Sequence, residues 1–164
     1  MAATIKDIVQ QHLDAVRTGI IQRMTQQGCM ASGKSASSLA VSATDTGGYL
    51  EGSSSFLVME HGRGPGKVPK DFNSIIRSWI VAKGISYQDL IPKNGTPEQG
   101  LTRLAGAIAH SIMTKGTRLY RDHGYNEVFS ELLEQEVEKI ASETSAVVEL
   151  EVDELHQEET REET

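Results

Sequence analysis

The residues most suggestive of chemistry form the motif GCMASGKS at residues 28–35. It matches the pattern G-x-x-x-x-G-K-[ST], in which backbone amides of a loop hold the phosphates of a nucleotide and the lysine reaches the outer phosphates. That chemistry requires a buried strand leading into the loop and a helix leaving it. Here a helical apolar pattern precedes the motif, and the serine-rich sequence SASSLAVSAT follows at residues 35–44. The context favours a flexible Gly/Ser linker over a nucleotide-binding site.

Other arrangements of catalytic residues do not occur in the sequence. It has no HExxH motif, no closely spaced set of His, Asp and Glu, and no GxSxG nucleophile. His61, His110 and His123 are far apart and could meet only through folding. Cys29 is the single cysteine, which excludes an intrachain disulfide and a cysteine-based zinc site. We therefore predict no catalytic residue, no cofactor and no metal site.

A basic loop follows the apolar run FLVM at residues 56–59. Four apolar residues are too few for a helix of their own and suit a short strand. The sequence from residue 60 to 70, EHGRGPGKVPK, contains three glycines and two prolines, which disfavour both strand and helix. Loops carried by rigid strands often hold binding residues, so we expect an interaction surface here, with an ordinary solvated connection as the alternative.

A second basic segment with an aromatic residue, TRLYR, occurs at residues 117–121. The candidate interface residues from the two segments are His61, Gly62, Arg63, Gly64, Pro65, Lys67, Lys70, Arg118 and Arg121.

Charge is distributed unevenly along the 164 residues. Residues 1–59 hold four bases and four acids, residues 60–121 ten bases and four acids, and residues 122–164 two bases and fifteen acids. A basic middle and an acidic end suggest attraction between copies of the chain, or a part that meets nucleic acid beside a part that repels it. A solvated acidic tail on a neutral body is the simpler alternative.

The composition suits one domain with a modest core, because apolar residues make up 38% and aromatic residues 5% of the chain. The N-terminal sequence lacks the apolar centre of a signal peptide, and no stretch approaches membrane-spanning length. We expect a soluble protein made in a reducing cytoplasm and no membrane partner.

Apolar residues recur every three or four positions from Ile5 to Met24, which predicts a helix over Thr4–Gln27. Thr4 and Asp7 have the spacing of a capping box, with Asp in place of the longer Glu. His12 lies on the apolar stripe and is expected to be packed or interfacial rather than a ligand. Alternating residues at 38–44, a turn at Asp45–Gly48 and a return from Tyr49 predict an antiparallel hairpin, which needs cover from helices to be stable.

Three further helices are predicted in the second half of the chain. The first is capped by Asp71 and ends at Lys83-Gly84, and the second begins at Thr96-Pro97-Glu98 and ends before Gly116. The last is amphipathic over about residues 126–142, with glutamates at 131, 134, 136 and 138 on its polar side.

The acidic end of the chain carries a different pattern. Val148, Leu150 and Val152 alternate with acids, which predicts a strand over Ala146–Val152 and adds these three residues to the candidate interface. Such a strand can pair with the sheet edge of a neighbouring chain. The sequence HQEETREET at 156–164 is expected to be disordered in the isolated subunit.

The predicted fold class is α+β, with an antiparallel hairpin or small sheet covered by a long N-terminal helix and three further helices. Residues 1–145 are assigned to a single α+β domain. Residues 146–164 are assigned to an acidic C-terminal arm, which contains the strand and a segment that is disordered or ordered by a partner.

This layout resembles the tail-completion or head–tail joining (neck) proteins of bacteriophages, including those of prophages. The resemblance covers Ile5–Arg121: an N-terminal helix, a Gly/Ser joint into a hairpin, a strand ending in MEHG at 59–62, a proline-containing loop, and a helix rich in small residues ending in KGT at 115–117. The insertion at 72–95 and the acidic end depart from the family pattern.

The resemblance implies a non-enzymatic structural protein of the virion, made in the host bacterial cytoplasm. Such a protein forms a homo-oligomeric ring at the joint between head and tail, meets portal, adaptor or tail-tube proteins, and surrounds double-stranded DNA without specific binding. The acidic arm then either lines the DNA path or pairs with a neighbour. Two alternatives stay open: a nucleic-acid-binding module that uses the basic segments, and, less favoured, a nucleotide-binding protein built on residues 28–35.

Overall fold

The regular elements begin and end largely where capping residues and glycines place them. A computed structural model of the chain describes residues 3–162, with side chains described up to residue 153. Over these residues the fold is α+β, 62% helical with one two-stranded antiparallel sheet, as the sequence predicts. The elements in chain order are α1 (Ile5–Gln26), α2 (Lys34–Ser37), β1 (Ala40–Thr44), β2 (Gly47–Glu51), α3 (Ser55–His61), α4 (Phe72–Ala82), a 3-10 turn (Gln88–Leu90), α5 (Pro97–Lys115), α6 (Arg118–Arg121) and α7 (Ser130–Glu162).

These elements form two compact units, each described here by itself. Unit 1 consists of α1, the hairpin and α7, within residues 3–26, 36–53 and 127–162. Unit 2 consists of residues 27–35 and 54–126, which include α3 to α6. The predicted division into a domain at 1–145 and an arm at 146–164 stays a prediction.

Helix α1 supplies most of the core of unit 1. The predicted capping box is confirmed: the Thr4 amide donates to Asp7 Oδ2 at 3.1 Å, and the Asp7 amide donates to Thr4 Oγ1 at 3.2 Å. One face of the helix is buried, as its apolar periodicity predicts. The buried apolar residues of α1 are Ile8, Val9, Leu13, Val16, Ile20 and Met24.

The hairpin packs on α1 through a glycine. β1 and β2 pair antiparallel, with Ala40 opposite Glu51 and Thr44 opposite Gly47, so the predicted hairpin is confirmed. A Cβ atom at Gly48 would lie 2.7 Å from Val9 Cγ1 and 2.9 Å from a methyl group of Leu13. Only a residue without a side chain therefore lets the strand approach the helix this closely.

The core of unit 2 lies between α4 and α5. Ile76 and Ile80 of α4 pack with Leu101, Ala105 and Ala109 of α5. The predicted start of α5 is confirmed, because Pro97 is its first residue and the Gln99 side chain accepts a hydrogen bond from the Thr96 amide at 3.0 Å. The small residues of α5 bring the two helix backbones close together.

The strand predicted at 56–59 is wrong, because these residues lie in α3. Phe56 and Glu60, four residues apart, are both buried, whereas Leu57 and Val58 between them are exposed. This spacing is the period of a helix, and a run of four apolar residues was too short to distinguish it from a strand.

The strand predicted at Ala146–Val152 is also wrong, because α7 continues through it to Glu162. Extending an existing helix costs much less than starting a new element, and the intervening glutamates are good helix formers but poor strand formers. Residues 156–162, expected to be disordered, also continue this helix, while 163 and 164 lie outside the described residues. Over the part of the chain that the structure describes, no helix combines the length and apolarity needed to cross a bilayer.

Candidate interaction surfaces

The motif at residues 28–35 has carbonyl groups where a phosphate site needs amides. Lys83 is the residue that follows α4. Its ammonium group donates hydrogen bonds to the Gly28 carbonyl and, at 2.8 Å, to the Met30 carbonyl. The motif follows α1 and ends in α2, a helix of four residues, so no strand leads into it. Because its carbonyls converge on an ammonium group, the loop is built around a cation of its own chain. This local structure differs from the strand–loop–helix that a phosphate-binding loop requires, and the nucleotide-binding alternative stays an untested prediction.

The two basic segments of the sequence meet in unit 2. The Arg63 amide donates to Thr117 Oγ1 at 2.8 Å, and the Thr117 amide donates to the Arg63 carbonyl at 2.8 Å. Further along the loop, the Gly66 amide donates to the Met113 carbonyl at 2.9 Å. The loop after α3 is thus fixed along the end of α5 and the start of α6.

Two glycines allow this close approach. Gly62 has φ +74°, and a Cβ there would lie 2.6 Å from the Tyr120 backbone nitrogen. Gly116 has φ +79°, and a Cβ there would lie 2.6 Å from the Arg63 carbonyl oxygen. Both positions therefore require glycine for backbone conformation and for space.

The guanidinium of Arg63 contacts residues of unit 2 itself. Its guanidinium lies 5.7 Å from the centre of the Phe72 ring and donates to the Lys67 carbonyl. His61 also has an internal contact, since its ring centre lies 5.2 Å from that of Tyr125. These two predicted interface residues therefore contribute to the shape of the loop.

The remaining bases of the two segments are exposed. Lys67, Lys70 and Arg121 have no carboxylate partner among the described residues. Arg118 Nε lies 3.2 Å from Asp122 Oδ2, but both side chains are more than half exposed, so this pair is weak. We use the name basic surface for these four exposed bases, which lie on the two segments that Arg63 and Thr117 bring together: Lys67, Lys70, Arg118 and Arg121.

A buried ion pair joins α1 to α7 in unit 1. His12 Nδ1 lies 2.5 Å from Glu136 Oε2, and His12 is 6% exposed. His12 Nε2 lies 3.2 Å from Glu143 Oε1, although the two atoms are not aligned for a hydrogen bond. Lys139 donates to the other oxygen of Glu136 at 2.6 Å. The hydrogen bond to Glu136 raises the pKa of His12, and Lys139 and then His12 lower the pKa of Glu136.

Arg23 ties the opposite ends of α1 and α7 together. Its guanidinium donates to the Glu127 carbonyl at 2.7 Å and to Glu131 Oε2 at 2.7 Å. Since Arg23 meets Glu131 while His12 meets Glu136 and Glu143, the two helices run antiparallel. The Glu136 side chain is only 14% exposed, so its assignment to the polar side of the last helix was wrong, whereas Glu131 is 45% exposed.

A groove in unit 1 is lined by the start of α1, the hairpin turn and α7. Its residues include Ile5 and Val9 of α1, Thr46 of the turn, and Thr144 and Val148 of α7. Val148 is 46% exposed and Val152, one helical turn further, is 44% exposed. The third predicted interface residue of this segment, Leu150, is 64% exposed.

The interface role of all twelve predicted residues stays a prediction. The sequence missed three residues that organise these surfaces: Thr117, which fixes the loop, Lys83, which fixes the 28–35 segment, and Glu136. The spacing of Glu136 and Glu143, seven residues apart on the face that carries Leu132 and Ile140, was the available signal.

The two units carry charges of opposite sign. Unit 1 holds five bases and seventeen acids within its described residues, whereas unit 2 holds eleven bases and five acids. The acids and bases of the chain are thus divided unequally between the two compact units.

No protein-family model, no curated protein and no solved structure matches the chain.

Proposed function

We propose that the chain is a non-enzymatic structural protein of a bacteriophage virion, which forms a ring at the head–tail joint around the path of the DNA. The observation that carries the proposal is the separation of charge between unit 1 and unit 2. It gives every copy one acidic and one basic unit, so the acidic unit of one copy is complementary in charge to the basic unit of another. Contacts of this heterologous kind produce a ring when the rotation between neighbours closes. The resemblance of Ile5–Arg121 to head–tail joining proteins supplies the location.

The net charge of the chain suits a channel through which DNA moves. The full sequence has a formal charge of −7, and unit 1 carries most of the acids. A like-charged wall repels phosphates and leaves the duplex free to slide, whereas a basic wall would hold it. In the proposed ring, the basic unit 2 contacts neighbouring proteins, and the acids of unit 1 that are not used in contacts between copies line the DNA path. Portal, adaptor or tail-tube proteins are the proposed partners.

The test is to locate the chain in particles of the phage or prophage that encodes it. Mass spectrometry of purified virions should detect the chain, and immunogold electron microscopy should label the neck. Deleting its gene should leave filled heads and tails that stay apart. Complete, infectious particles without the chain would overturn the proposal.

A second candidate, a nucleic-acid-binding module, is favoured by the meeting of the two basic segments through Arg63 and Thr117. This function predicts a linear fall of log affinity for duplex DNA with log salt, with a slope of about −0.9 per phosphate contacted. The ring proposal predicts no measurable DNA affinity at about 0.15 M salt. Titration of the purified protein into labelled duplex DNA separates the two functions.

A further inference from the structure

The exposed end of α7 combines apolar and acidic side chains on adjoining faces. Val148 and Val152 are one helical turn apart and nearly half exposed. Glu149 and Asp153 have the same spacing and lie beside them on the helix surface. Neither acid has an ion-pair partner among the residues whose side chains are described. We call Val148, Glu149, Val152 and Asp153 the acidic face.

This face lies where α7 extends beyond its partner helix. Ile5, the first residue of α1, lines the same groove as Val148 and Glu149. From residue 150 to its end at Glu162, α7 has 13 residues, which rise about 20 Å at 1.5 Å per residue. The first residue of α1 therefore lies level with the beginning of the acidic face.

The basic surface of unit 2 offers matching chemistry. Lys67, Lys70 and Arg121 are exposed and lack carboxylate partners among the described residues. Tyr120 lies between Arg118 and Arg121 in the sequence and is 46% exposed. Tyrosine and arginine are the residue types that most often dominate the binding energy of protein interfaces.

We infer that the acidic face of one copy docks on the basic surface of a second copy. The two valines supply an apolar centre next to Tyr120 of the neighbour, while Glu149 and Asp153 pair with its bases. This inference rests on the proposed ring and names the contact that builds it. The occupant is a second copy because charge complementarity and exposed apolar area occur together on these two surfaces of the same chain.

The experiment is a charge exchange in the full-length chain. One variant combines Glu149→Lys with Asp153→Lys, and its matched control combines Glu134→Lys with Glu138→Lys, exposed acids with the same spacing on the same helix. A second variant combines Lys67→Glu with Arg121→Glu. Its matched control, in the same unit, combines Lys93→Glu with Arg103→Glu. Sedimentation velocity measures self-association, and circular dichroism checks that each variant is folded.

Each test variant alone should associate at least about tenfold more weakly than the natural chain, and both controls should associate like it. Mixing the two test variants should restore association, because the reversed surfaces are complementary to each other. Raising salt to about 0.5 M should weaken the natural complex. Restored association on mixing would also show that each variant is folded, because a misfolded variant could not form the contact.

Three outcomes would overturn the docking: equal loss in the controls, association unaffected by both reversals, or a natural chain that stays monomeric at all concentrations. None of these outcomes bears on whether the chain is found at the neck of virions. Sedimentation therefore tests the contact between copies, and the analysis of virions tests the role in the particle.

Discussion

His12 Nδ1 and Glu136 Oε2 lie 2.5 Å apart although 124 positions separate them in the sequence. The pair joins the first and last helices of unit 1 at a buried site. Lys139, Glu136 and Glu143 are the charged groups that face His12 from α7, and no charged group of β1 or β2 forms an ion pair with it among the described residues. One of the polar contacts between α1 and α7 therefore depends on the protonation of a histidine, whereas the Arg23 contacts and the apolar core do not.

The stability of unit 1 should fall as the pH rises through the raised pKa of His12. The pKa of His12 is raised from 6.5 by Glu136, so its contribution is fully present below 6.5 and is lost as the pH rises through the raised value. The pKa of Glu136 is lowered from 4.5, so its contribution is present above 4.5 and is lost at lower pH as the pH falls through the lowered value. Urea unfolding monitored by circular dichroism should give maximum stability between these limits.

Glu136→Gln should remove much of this pH dependence. We expect a loss of about 1.5–3 kcal/mol near pH 6, the usual value of a hydrogen bond to a charged group, and a smaller loss at pH 9. Glu134→Gln, an exposed position on the same helix, is the control and should change little. Parallel stability curves for Glu136→Gln and the natural chain from pH 6 to 9 would show that the pair is not the cause.

Gly62→Ala should destabilise unit 2 by about 1–3 kcal/mol, because alanine is strained at φ +74° and its Cβ would meet the Tyr120 backbone. Gly106→Ala is the matched control. It lies inside α5 with nothing within 4 Å of an added Cβ, so it should stabilise the unit by about 0.5–1 kcal/mol. Thermal unfolding of both variants measures the difference. Equal effects of the two substitutions would contradict the close packing described at Gly62.

The sequence predicted the elements whose ends are set by local chemistry. Thr4 and Asp7 mark the start of α1, and Thr96 with Pro97 marks the start of α5, because capping depends on residues within one turn. The strand predictions at 56–59 and 146–152 failed because short apolar runs fit either period until packing selects one. The contact of Arg63 with Thr117, 54 positions apart, has no local signal at all.

Lys83→Met should loosen residues 28–35. Methionine cannot donate the hydrogen bonds that Lys83 makes to the Gly28 and Met30 carbonyls. The free energy of local opening of this segment, measured by amide hydrogen exchange, should therefore fall by about 1–2 kcal/mol. Lys34→Ala is the companion variant, and it should leave function intact. Binding of ATP to the natural chain that Lys34→Ala abolishes would restore the nucleotide-binding interpretation.

Truncation of the C-terminal end should separate folding from assembly. A chain that ends at Glu149 keeps the part of α7 that contacts α1, including Glu136 and Glu143, and loses Val152 and Asp153. A chain that ends at Asp153 keeps the whole acidic face and serves as the control. Both should unfold within about 0.5 kcal/mol of each other, because the exposed residues between them contribute little to the core.

In sedimentation velocity, the chain ending at Asp153 should self-associate like the full-length protein, and the chain ending at Glu149 should associate at least about tenfold more weakly. This expected loss of self-association does not come from a strand, because these residues are helical. It comes from removing the second half of one exposed helical face. If the shorter chain associates as well as the longer one, residues beyond Glu149 have no part in the contact. The acidic end would then serve only as a charged surface, toward solvent or, in the proposed ring, toward the DNA path.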